Sequence, residues 1–98
     1  MSSFGKRLEQ YTLRRPNEVL IVDAVIDGEN DQVLIFKGFS SSLLRSTAYD
    51  PDVPILPSGA EILSIDRLQS PYHPTSPHYL EQGLSLEAME TLLAKVGV

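Results

Sequence analysis

The chain contains no cysteine and no tryptophan. Without cysteine there is no disulfide, no thiolate metal centre and no thiol nucleophile. Long apolar runs are missing as well. The longest, Val19–Val22 and Val33–Phe36, hold four residues each, against the roughly 20 that a membrane-spanning helix needs. The segment Met1–Gln10 lacks the apolar stretch of a secretory signal. Taken together, these absences predict a cytoplasmic protein. Gly28, Gly38 and Gly59 stand alone, so there is neither a P-loop nor a dinucleotide fingerprint. Ser40, Ser41 and Ser42 have no nucleophile elbow around them. No internal repeat or low-complexity tract is present.

What remains is one domain's worth of chain, 98 residues, enough for a modest core without staples. The apolar share of 42% and the charged share of 21% are those of a globular domain and argue against disorder. Charge is unevenly placed. Lys6, Arg7, Arg14 and Arg15 against Glu9 leave the first fifteen residues at +3, and the remainder at −8, within a total of −5. The acidic body repels phosphate backbones, which makes nucleic acid an unlikely partner for it. Only the basic N-terminal arm attracts anions, either as a membrane-surface anchor or as a nucleic-acid contact.

The chain divides into an N-terminal helix or arm (1–16), a β core (17–69), a proline-rich crossing (70–84) and a C-terminal helix (85–97). Phe4, Leu8 and Tyr11 share one helical face, with Ser2 or Ser3 at the cap and Pro16 ending the helix. Residues 18–27 are the clearest strand, rich in Val and Ile, with Leu20, Val22, Ala24 and Ile26 on one wholly apolar face. Asp27-Gly28 is a strong hairpin signal, and 31–39 reads as the return strand. Ser40–Ser42 then reads as a polar turn, Leu43–Tyr49 as a short third strand, and Ala60–Leu68 as the last strand. Pro71, Pro74 and Pro77 exclude a helix or a central strand between Ser70 and Tyr79. Ser85 is a natural N-cap, Leu86, Met89, Leu93 and Val96 form a stripe, and Gly97 suits the position past the end. Both hairpin strands carry apolar residues on both faces. The sheet is therefore either curled or covered on its second side.

The residue types of catalysis are present in the wrong arrangements. His73 and His78, five apart in an irregular segment, do not make a metal site. Asp66 could join them only through the fold. Asp27, Glu29 and Asp31 cluster at a hairpin tip but lack the further oxygens of a calcium loop. No catalytic residue, metal ligand or cofactor is assigned. The remaining constellation is one of docking residues. Arg45, Tyr49, Arg67, Tyr72, His73, His78 and Tyr79 lie in or beside proline-bearing loops and strand ends, and tyrosine and arginine anchor many protein interfaces. The competing reading is that the tyrosines pin the proline-rich crossing to the core.

The strings Lys37-Gly38-Phe39-Ser40-Ser41-Ser42-Leu43, Thr47-Ala48-Tyr49-Asp50-Pro51 and Leu56-Pro57-Ser58-Gly59-Ala60-Glu61-Ile62-Leu63-Ser64-Ile65-Asp66-Arg67-Leu68 resemble a small uncharacterised domain family of cyanobacteria and plant chloroplasts, over about residues 16–80. The family has no assigned activity, so the resemblance carries over no functional residue. It implies a setting instead: the cytoplasm or stroma of an oxygenic phototroph, near thylakoids and their assembly machinery.

The expected fold is mainly β, an SH3-like barrel or a strongly bent antiparallel sheet with a C-terminal helix. An α+β sheet with helices on one face is the alternative. The expected function is a non-enzymatic protein-binding module or an assembly or regulatory factor. A homodimer through a sheet edge is one form of it. The alternatives are a small-ligand-binding or enzymatic domain with a loop-built site near Asp66, His73 and His78, and a nucleic-acid-associated protein acting through the basic arm.

Overall fold

The computed structural model describes residues 4–26, 28–42, 60–73 and 75–98. The sequence-predicted cap at Ser2 or Ser3, the strand Leu43–Tyr49 and the docking residues Arg45 and Tyr49 lie outside them. The elements in chain order are α1 (Phe4–Arg14), β1 (Glu18–Ile26), β2 (Glu29–Phe36), β3 (Phe39–Ser42), β4 (Glu61–Gln69), β5 (Tyr79–Leu84) and α2 (Leu86–Val96). The strands form one antiparallel sheet in the order β3-β2-β1-β4-β5.

Among the described residues that sheet is open, with β3 and β5 as its two edges. The barrel expectation is corrected. The apolar second face that suggested closure is partly occupied by a smaller cluster of its own. The bent sheet with a C-terminal helix is the architecture found, and α1 joins α2 on the same side.

Local chemistry explains each boundary. Ile26 pairs with Glu29, and Gly28 sits at φ +80°. β1 and β2 therefore form the tight hairpin that the sequence predicts. The return strand is shorter than its apolar pattern suggested. Lys37 (φ 49°) and Gly38 (φ 82°) make a two-residue turn with the left-handed backbone of type I′, and Phe36 pairs with Phe39. The serine run is thus edge strand β3 rather than a turn. The end of the crossing predicted over 70–84 is also a strand, since β5 pairs with β4. Ser85 caps α2 by accepting a hydrogen bond from the Ala88 amide, and Gly97 closes it in the left-handed conformation.

Facing strand residues share a side. Leu20, Val22, Ala24 and Ile26 of β1, Val33 and Ile35 of β2 and Ile65 of β4 pack with Leu8 and Tyr11 of α1 and Met89 and Leu93 of α2. This is the main core. On the other side Val19, Ile21 and Leu68 are buried, with Leu34, Phe36 and Tyr72 against them. Three register shifts mark the ladders of β4, one toward β1 and two toward β5, where the pairs Ile65–Leu84 and Arg67–Glu81 set two steps against three. The pairs Asp23–Ser64 and Ala24–Ile62 leave Leu63 as a bulge. The pairs Arg67–Glu81 and Leu68–Tyr79 leave Leu80 unmatched. Both leucines are half-exposed, as unpaired bulge residues often are.

Candidate functional site

The sequence-predicted docking residues among those described divide between the two faces. Leu68 pairs with Tyr79 and packs against Tyr72. The two tyrosines therefore share the face away from the helices. Tyr72 is half-buried against Val19, Ile21 and Leu68, whereas Tyr79 remains 44% exposed. His73 and His78 are exposed on the connecting loop. Main-chain bonds hold that loop in place. The Gln69 amide donates to the His78 carbonyl at 2.8 Å, the Ser76 amide to the His73 carbonyl at 3.1 Å, and the Ser70 amide to the Asn17 carbonyl at 2.8 Å.

Arg67 does not join them. It pairs in register with Leu20 and Glu81 on the helix-covered face. There its Nε donates to Glu18 Oε1 at 2.8 Å, and a terminal guanidinium nitrogen donates to Glu81. The Tyr11 hydroxyl donates to the same Glu18 oxygen at 2.8 Å. Burial pushes the Tyr11 phenol up, the hydrogen bond and charge of Glu18 add to this, and it reaches about 12. Burial acts to lower the Arg67 guanidinium, but its bonds to Glu18 and Glu81 outweigh that and leave it raised. A phenol at about 12 and a permanently charged guanidinium are poor proton shuttles at neutral pH. Their chemistry is that of a clamp, fastening α1, β1, β4 and β5 at one buried carboxylate.

Sequence reasoning missed this clamp. Glu18 and Arg67 are 49 residues apart, and each reads alone as a solvated strand end. A signal was nevertheless present. Glu18 falls in the alternation of Leu20, Val22, Ala24 and Ile26, so its side chain points at the core face and needs a partner there.

A cavity of about 410 Å³ lies elsewhere in the sheet, lined by Asp23, Ala24, Asn30, Asp31, Gln32, Leu63 and Ser64. None of Asp66, His73 and His78 lines it, so the loop-built ligand site drawn from the sequence does not assemble there. Asp66 instead accepts from the Gly83 amide at 2.8 Å. The cavity's carboxylates already have protein donors. Asp23 accepts from Gln32 Nε2 and Ser64 Oγ, and Asp31 accepts from Ser42 Oγ. Among the described residues no group of three His, Cys, Asp or Glu side chains stands close enough to hold a metal ion, and no helix is long and apolar enough to cross a membrane.

A helix-backed open sheet with exposed aromatics at its margins defines a small mainly-β domain. The chain belongs to the DUF7734 family, a domain of unknown function, whose model matches residues 5–93. No curated protein and no solved structure matches it.

Proposed function

We propose that this domain is a non-enzymatic protein-binding module that docks a partner through the β4–β5 loop and the β5 edge. The observation that carries this reading is the exposure of that edge. Tyr79 and Leu80 are 44% and 48% exposed, and every residue of β5 before Leu84 is open to solvent. An edge strand offers unpaired backbone groups, and flanking aromatic and aliphatic side chains supply anchor area. Tyr72 supports the patch from beneath by packing on the second cluster. In this reading the domain serves as an assembly or regulatory factor. The photosynthetic setting and stromal or cytoplasmic location implied by the resemblance of its central strings belong to the same proposal.

The test is affinity capture with the tagged full chain and with Tyr79→Ala and Leu80→Ala, whose truncated groups lie at the surface. A stoichiometric protein retained by the parent and lost by both variants, with melting temperature unchanged, is the expected result. Retention indifferent to both changes, or no retained protein at all, overturns the reading.

A further inference from the structure

At the opposite edge of the sheet, α1 and the β2–β3 turn form a second exposed patch of different chemistry. Phe39 is 78% exposed and Leu13 is 60% exposed, the two highest values among the large apolar side chains described. The two flank the turn from opposite sides: Phe39 pairs with Phe36 on the face away from the helices, and Leu13 comes down from α1 on the covered face. The Gly38 amide donates to Thr12 Oγ1 at 2.9 Å, and the Leu13 side chain lies directly over Gly38, about 3.0 Å from where a Cβ would stand. Phe39 follows Gly38 immediately.

Cations border this corner. Arg14 and Arg15 are exposed at the end of α1. Lys37 is exposed in the turn, its Nζ over the Phe36 ring at 5.2 Å from the centroid. Residues 10–17 and 36–39 contain no carboxylate. The two acids that flank residues 10–17 are both engaged, Glu9 by Ser40 Oγ at 2.7 Å and Glu18 by the Tyr11 hydroxyl and Arg67 Nε, each at 2.8 Å. On a chain of net charge −5, this is a local reversal of sign placed around protruding apolar groups.

We infer that this corner binds the surface of an anionic lipid bilayer, with Phe39 and Leu13 entering the interfacial region and Arg14, Arg15 and Lys37 facing the lipid phosphates. Charge complementarity selects an anionic surface. The aliphatic Leu13 selects a bilayer over a nucleic acid, which offers phosphates and stacking planes but no hydrocarbon. The corner stands at the β3 edge, across the sheet from β5, so the inference is independent of the protein-docking proposal.

Flotation of the full chain with phosphatidylglycerol–phosphatidylcholine vesicles tests it, with pure phosphatidylcholine as the control. Binding to the anionic vesicles alone, abolished by high salt, is expected. Arg14→Glu should weaken it about tenfold or more, at roughly fivefold per unit of charge near the surface. Lys37→Asn should weaken it about fivefold, and asparagine tolerates the left-handed backbone at that position. Phe39→Ala should weaken it severalfold without lowering the melting temperature. No vesicle binding, equal binding to both vesicle types, or retention undiminished in all three variants overturns the inference. So does binding to duplex DNA or polyglutamate in place of vesicles.

Discussion

The two faces of the sheet have much the same strand sequences to work with and use them differently. The helix-covered face is sealed. Leu20, Val22, Val33, Ile35 and Ile65 have no solvent exposure, and neither do Leu8, Met89 and Leu93 above them. Among the described residues the other face holds a core of three buried side chains, Val19, Ile21 and Leu68, with half-buried Leu34, Phe36 and Tyr72 around it. Toward the Asn30 end it turns polar, where Asp23 bridges Gln32 and Ser64. Stability is therefore concentrated on the first face. The second is left with apolar groups that are incompletely covered.

The largest effect that would test this contrast is truncation on each side. Leu20→Ala should cost about 3 kcal/mol or more, since it empties a fully buried site between two layers. Leu34→Ala should cost about 1 kcal/mol, because its half-exposed side chain forfeits less burial. Urea midpoints of the two variants measure the difference, and equal losses would remove the distinction between the faces.

The clamp sharpens the contrast through pH. The Tyr11 phenol is raised from 10.0 to about 12 in the fold, so the folded state favours the protonated form. The stabilisation is complete below pH 10 and is lost as pH rises through about 12. It amounts to about 2–3 kcal/mol. Denaturant titrations across that range should show the decline in the parent, and Tyr11→Phe should flatten it.

A smaller loss, about 1–2 kcal/mol, is expected from Gly38→Ala. Its φ of +82° disfavours any side chain, and the new methyl would press on Leu13 at 3.0 Å. A thermal melt measures it. An unchanged melting temperature would mean that α1 is not seated on the β2–β3 turn.

Much of the stable face was legible in the sequence. The alternation of Leu20, Val22, Ala24 and Ile26, the stripe through Met89 and Leu93, and the Phe4, Leu8 and Tyr11 face of α1 are periodic signals of the kind that burial imposes. The misreadings share a cause. Lys37 is an unusual residue for a left-handed turn position, so Asp31 to Phe39 reads as one strand, whereas Phe39 begins the next. β5 contains no β-branched residue and includes Gly83, and it is a strand only because β4 lies beside it. Arg67 looked like an interface anchor because nothing local reveals that β4 pairs with β1, and with it the carboxylate that holds the guanidinium. Tyr72 and Tyr79 share one face of the sheet, while Phe39, the most exposed aromatic among the described residues, reads in the sequence as the end of the return strand.

The strand order has one more consequence. β1, β2 and β3 pair with their neighbours in the chain, as do β4 and β5, and among the described residues the two groups of strands meet along the β1–β4 ladder. The pairs of that seam, from Val25–Glu61 to Glu18–Gln69, join residues far apart in sequence. Non-local pairing of this kind is the slow part of forming a sheet, so the pace at which this domain folds is set at one ladder.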